Sequence, residues 1–158
     1  VFALFISTAS FGQSLNTKSV ALDGYDLVGY FVKNQAIQGS DKLSVEVDGT
    51  HFYFSSVENQ KAFKANPQKY MPECGGFCAM GVAGSNAKFP VDPENFVVTN
   101  GKLYLFYNGP YKGQVFNGKE PWMKDEKNLI RKAAVKLNNT DTVYLFAFFW
   151  QGTADKSI

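Results

Sequence analysis

Two twelve-residue stretches, LSVEVDGTHFYF (43–54) and FVVTNGKLYLFY (96–107), constrain the fold more than any other feature of the chain. Each places alternating apolar residues around a central Asp-Gly or Asn-Gly pair, which tolerates the positive backbone angles of a two-residue hairpin turn. With Asp48-Gly49 as the turn, Val47 faces Thr50, Glu46 faces His51 and Val45 faces Phe52. Leu43, Val45, Phe52 and Phe54 then share one face, and His51 lies on the other. By the same rule Asn100-Gly101 brings Phe96, Val98, Leu103 and Leu105 together. Two antiparallel ribbons sharing a small sheet are expected.

Around the ribbons the pattern turns helical. Ser55 or Ser56 is placed to cap a helix from Val57 with Ala62 and Phe63 inward, and Pro67 restarts a short turn over 67–70. The glycine-rich run 76–83, GFCAMGVA, reads as a short helix, and 84–93 as a loop. From 124 to 137, Leu129, Ile130, Ala133, Ala134 and Leu137 recur at helical spacing, which predicts an amphipathic helix anchored at its start by Trp122. Asp23-Gly24 reads as a turn and Asp26 as a helix cap; alternatively Tyr25 and Asp26 form the lip of a pocket for a polar ligand. The expected class is α+β: a small antiparallel sheet built from two β-hairpins, short helices packed on it, and a C-terminal amphipathic helix.

At 158 residues and 45% apolar content the chain suits one domain with a real core. A net charge of +2, with no basic stripe, argues against a nucleic-acid partner. Residues 1–11, VFALFISTASF, are apolar, uncharged and too short to span a bilayer. With Ser10-Phe11-Gly12 ahead of Gln13 they resemble a signal peptide that has lost its start. The expectation is an exported protein, periplasmic or extracellular: 1–12 a signal-peptide remnant, 13–137 the domain, and 138–158 an atypical tail carrying the apolar octet VYLFAFFW. No segment is long enough for a transmembrane span.

The stretch MPECGGFCAM (71–80) holds both cysteines and two of the three methionines. Four readings compete. Cys78 and Cys74 are packed as small hydrophobes; they form a disulfide suited to an oxidising compartment; they act as a redox pair; or they bind a soft metal. For the redox reading, Gly75-Gly76 opening a helix would bring N–H groups to Cys78 and favour its thiolate, with Cys74 as the resolving partner. For the metal reading, Cys74 and Cys78, joined by Met71, Met80 and His51, supply thiolate, thioether and imidazole donors suited to Cu(I). His51 is the only histidine. A His-based zinc site would need further ligands, and a Ser-His-Asp triad has no nucleophile motif here. The glycines at 75, 76, 81 and 84 lack the lysine of a phosphate loop.

Three segments, LDGYDLVGYF (22–31), DGTHFYFSSVENQKAFKANPQKYMPECGGFCAMGVA (48–83) and NGKLYLFYN (100–108), resemble the stand-alone exported proteins of the YHS domain family. The resemblance covers most of 21–134 and implies a small α+β module. Relatives of that domain accompany copper-transporting ATPases and some hydroxylases, and a neighbouring group chelates heavy metals through cysteines. In those chelators the cysteines sit where a strand gives way to a helix; here that stretch reads FSSVENQ (54–60), with Ser55, Ser56 and Asn59 in place of soft ligands. Cys78, behind Gly75-Gly76, matches the exported members, and Cys74 is the local addition. The resemblance implies an exported binding module; read with the two thiols, the expectation is a module that takes a metal ion or small ligand through Cys74 and Cys78, with a thiol-dependent redox protein, or an interaction domain without chemistry, as alternatives.

Overall fold

The computed structural model describes residues 19–139. The expected signal segment and the octet VYLFAFFW lie outside them. Both hairpins form where the turn chemistry places them. Strands β1 (Ser19–Val20), β2 (Ser40–Val47) and β3 (Thr50–Phe54) make the first sheet, with β2 and β3 joined through Asp48 and Gly49 at φ 49° and 78°. Val47 pairs with Thr50, Glu46 with His51 and Val45 with Phe52, and β1 runs parallel along the other edge of β3. In the second ribbon, β4 (Asp92–Thr99) pairs with β5 (Lys102–Phe106), Val98 opposite Leu103 and Phe96 opposite Leu105. The ribbons do not share a sheet. The outer edge of β3 is taken by β1, and that of β5 by Pro72, which bridges Leu103 in parallel. A third ribbon, β6 (Asn108–Tyr111) with β7 (Gln114–Asn117), turns at Lys112 and Gly113, at φ 49° and 77°.

Five helices complete the described chain. They are α1 (Leu27–Lys33), α2 (Val57–Ala65), α3 (Ala79–Ser85), α4 (Lys119–Lys124) and α5 (Glu126–Asn139). Ser56 caps α2, its hydroxyl accepting from the Asn59 N–H at 3.1 Å, and Pro67–Lys69 forms the short 3-10 turn that the proline suggests. The glycine-rich helix starts later than the sequence pattern indicates. Cys74, Gly75 and Gly76 all have positive φ, so the chain makes a left-handed turn there and becomes helical only at Ala79. The C-terminal helix is divided at Asp125, whose φ of −146° interrupts it.

Burial falls into two adjoining clusters. In the first, Phe52 and Phe54 of β3 pack on Phe63 of α2, with Leu103 and Leu105 of β5 and Tyr30 of α1 closing over them. In the second, Cys74, Cys78, Ala79, Val82 and Ala83 meet Tyr104, Phe106, Trp122, Leu129 and Ala133. Trp122 is fully buried, with ring centroids 5.1 Å from Tyr104 and 5.3 Å from Phe106, which fixes the α4–α5 arm on β5 as its sequence position suggests. β5 thus faces a different cluster on each side, and the two cysteines belong to the second.

Asp26 ties α1 to α2. Its carboxylate is wholly buried. Oδ1 accepts the N–H groups of Val28 (2.9 Å) and Gly29 (3.2 Å), capping α1. Oδ2 accepts the Ser55 N–H (2.8 Å), the Ser55 hydroxyl (2.6 Å) and the Asn59 amide (2.7 Å). Five donors satisfy the carboxylate, which is how a buried carboxylate is made tolerable. Asp26 is therefore the expected cap, now extended to a second helix, and not a pocket lip. Tyr25 instead reaches outward, donating to Glu94 Oε1 at 3.0 Å.

Candidate functional site: the thiol turn of residues 71–80

The sequence brings four sulfurs close along the chain; folding separates them. Pro72 fixes an extended residue that bridges to Leu103, and Met71, one position earlier, packs with the first cluster. Cys74, Cys78 and Met80 go to the second. Met80 sits on α3, and its Cε lies 3.4 Å from where a Cβ on Gly84 would stand, so its thioether end runs along the helix. His51 stays on β3 with Nε2 3.8 Å from Glu46 Oε2, as the hairpin register predicts. Of the five candidate ligands, Cys74, Cys78 and Met80 share the second cluster, and Met71 and His51 lie apart from it. Among the described residues no group of three or more His, Cys, Asp or Glu side chains is arranged to hold a metal ion.

Both cysteines are free thiols and both are buried, at 3% and 1% exposure. Cys74 occupies the left-handed region at φ 59°, ψ 23°, a conformation that costs a non-glycine residue about 1–2 kcal/mol. Cys78 lies at the far end of the turn. Its N–H donates to the Phe89 carbonyl at 3.1 Å, and its Sγ abuts Gly118, where an added Cβ would stand 3.0 Å away. Gly75 and Gly76 belong to the turn ahead of Cys78 and do not open α3, so their N–H groups are not the helix's leading donors.

Electrostatics bears on which chemistry Cys74 can do. Burial pushes its thiol up to about 12, and the neighbouring Glu73 carboxylate and Cys78 add to the effect, against a smaller opposing pull from Lys102. At neutral pH such a thiol keeps its proton. It is a proton-bearing thiol, ill suited to attack or to resolve a disulfide unaided. Tyr104, packed beside it, is likewise raised to about 12, by burial first and then by Glu73, Cys74 and Glu126.

Cys74 also lines a cavity of about 200 Å³ between the turn, β5 and α5. Ile130, Ala133 and Ala134 form one wall, and Tyr104, Lys102 and Asn100 another. Lys102 Nζ holds Glu73 Oε2 at 3.1 Å, a partly exposed pair on the same rim. Across the cluster, Lys136 Nζ donates to the Ala83 carbonyl at 2.9 Å and ties α5 to α3.

Comparison of the chain with protein-family models, with curated proteins and with solved structures finds no match. The residues and their geometry therefore carry the functional reading. Among the described residues no helix is long and apolar enough to cross a membrane.

Proposed function

We propose that this chain is an exported, YHS-like binding module that holds one soft metal ion, Cu(I) by preference, between Cys74 and Cys78. The observation that carries the reading is the seating of two free, buried thiols at the two ends of one left-handed turn, with Cys74 lining a cavity. Two thiolates are a sufficient donor set for a soft monovalent ion and a poor one for hard cations. Binding balances as two thiols plus Cu(I) giving a dithiolate complex and two protons. Because the protons are displaced from thiols, affinity rises with pH. Both readings need a thiolate; a bound cation displaces the Cys74 proton itself, whereas thiol redox chemistry has no such charge to offset the burial that raises this thiol.

The test is a competition titration of the reduced chain with Cu(I) against a chromophoric chelator, for the parent, Cys74→Ser and Cys78→Ser. One equivalent is expected to bind the parent, with a loss in each variant greater than the roughly 10–100-fold that removing an outer-shell partner of a metal ligand costs. Equal affinity in all three proteins, or none in the parent, removes the metal reading.

A further inference from the structure

The structure repeats itself with a constant offset. Leu22, Asp23 and Gly24 have positive φ, and so do Cys74, Gly75 and Gly76, 52 positions on. Each turn is closed alike, the Tyr25 N–H donating to the Leu22 carbonyl (2.9 Å) and the Phe77 N–H to that of Cys74 (3.2 Å). Asp26 and Cys78 are the N-caps of α1 and α3, and their N–H groups donate to Ile37 (2.8 Å) and Phe89 (3.1 Å). Both helices have seven residues and end on a left-handed asparagine, Asn34 or Asn86. Each hairpin shifts register at the same place, between Ser40 and Ser44 or between Asp92 and Phe96. The parallel pair Val20 with His51 recurs as Pro72 with Leu103. All these pairs keep the 52-residue spacing without a gap.

A capped helix follows each hairpin. Ser56 and Gly118 are the N-caps, and each helix sends one aromatic ring between two strand aromatics, Phe63 seven residues past its cap and Trp122 four past its own. Phe63 lies 5.0 Å from both Phe52 and Phe54; Trp122 lies 5.1 and 5.3 Å from Tyr104 and Phe106. In the second case β6 and β7 intervene, but their ends meet, the Gly118 N–H donating to the Tyr107 carbonyl at 2.9 Å.

We propose that the chain is a tandem duplication: one strand, turn, helix, hairpin and helix unit occurs twice, and the β6–β7 ribbon is an insertion in the second copy. Identical residues are few; three pairs, Gly24/Gly76, Asn34/Asn86 and Gly49/Gly101, fall where the backbone is left-handed, and the others are Gly29/Gly81, Val45/Val97 and Phe54/Phe106. The copies pack head to tail. Phe96, Val98, Leu103 and Leu105 of the second hairpin are turned onto the first copy, Phe96 meeting Tyr30 at 4.7 Å. The corresponding residues of the first hairpin, Ser44, Glu46, His51 and Tyr53, form a partly exposed polar face, as an end repeat requires. The left-handed backbone at Cys74 is then a property of the unit, because Leu22 shares it, whereas the thiols belong to the second copy alone, at the positions of Leu22 and Asp26.

A duplicated unit has consequences for folding that do not depend on metal binding. Three full-chain variants are compared with the parent by thermal unfolding and amide NMR: one lacking 108–117, with Tyr107 joined to Gly118; one with those ten residues moved between Ser55 and Ser56; and Cys74→Leu, which restores the first copy's residue beside the cavity. Each is expected to unfold cooperatively within about 8 °C of the parent. A reference insertion of the same ten residues between Gln60 and Lys61, inside α2, is expected to abolish cooperative folding. The proposal is overturned if the shortened chain or Cys74→Leu melts further below the parent than that, or if the insertion at Ser55 behaves like the one inside α2.

Discussion

Replacing Asp26 by alanine should cost more stability than removing almost any apolar side chain of similar size. The carboxylate takes five donors, and alanine takes none. Loss of the α1 cap contributes about 1 kcal/mol. The Ser55 hydroxyl can turn elsewhere, but the Ser55 N–H and the Asn59 amide, held at 2.8 and 2.7 Å, are left facing a void. At about 1–3 kcal/mol for each stranded buried donor, the total comes to about 3–7 kcal/mol, a large share of a small domain's stability. Asp26→Asn keeps the shape but can turn its own N–H₂ toward three donors, and a loss of about 2–4 kcal/mol is expected. Adding Asn59→Asp to Asp26→Asn reverses one donor and one acceptor and should recover about 1 kcal/mol, which a simple cavity model does not predict. Urea denaturation with a common m-value reads all four proteins. A loss below about 1 kcal/mol for Asp26→Ala, or no recovery in the double variant, would refute the network's role.

Three further outcomes are expected of the same structure. Trp122→Ala should lower stability by about 3–5 kcal/mol and remove the α4–α5 arm's main anchor, seen as early loss of amide protection along α5. Gly81→Ala should destabilise strongly, because its Cβ would stand 2.6 Å from Phe89 Cδ2 and 2.9 Å from the Ala87 carbonyl. Gly49→Ala, at φ 78° with nothing within 4 Å, should cost only about 1 kcal/mol by thermal melts. Alkaline pH should weaken the fold through Cys74. Its thiol titrates near 9 when unfolded and about 12 when folded, so the folded state keeps a proton that the unfolded state releases, and stability falls between those values. The slope is at most about 1.4 kcal/mol per pH unit. Urea midpoints from pH 8 to 10 should fall less in Cys74→Ala than in the parent; parallel curves would contradict the assignment.

How much of the fold and the site is legible in the sequence depends on how local each signal is. Asp48-Gly49 and Asn100-Gly101 set both turns and both registers, down to His51 opposite Glu46, because a two-residue turn leaves no other pairing. Lys112-Gly113 makes a turn with the same backbone signs, but it lacks the usual residue pair, and Val115 beside it is 80% exposed, so apolar alternation gives no warning of β6 and β7. Strand β1 has two residues and a partner 31 positions away, beyond any periodicity argument. At the thiol turn, Gly75-Gly76 is visible as a breaker, but not that Cys74 shares its left-handed backbone and delays the helix to Ala79. Asp26 can be read as a cap from its neighbours; its bonds to Ser55 and Asn59 join residues that only the tertiary fold brings together. Proximity along 71–80 is likewise a poor guide to proximity in space, since Pro72 sends Met71 into a different cluster from Cys74.

The bridge between Pro72 and Leu103 has a meaning for the chain's behaviour among other chains. The free edge of a short ribbon is a template on which another polypeptide can add itself as a further strand. On β5 that edge is met by a residue that is buried and has no N–H to offer, so a ladder started there has no donor with which to continue. The segment at Pro72 thus closes the ribbon to strand addition from outside, and a change that lifts it off Leu103 should make that edge adhesive, seen as rising light scattering of concentrated solutions.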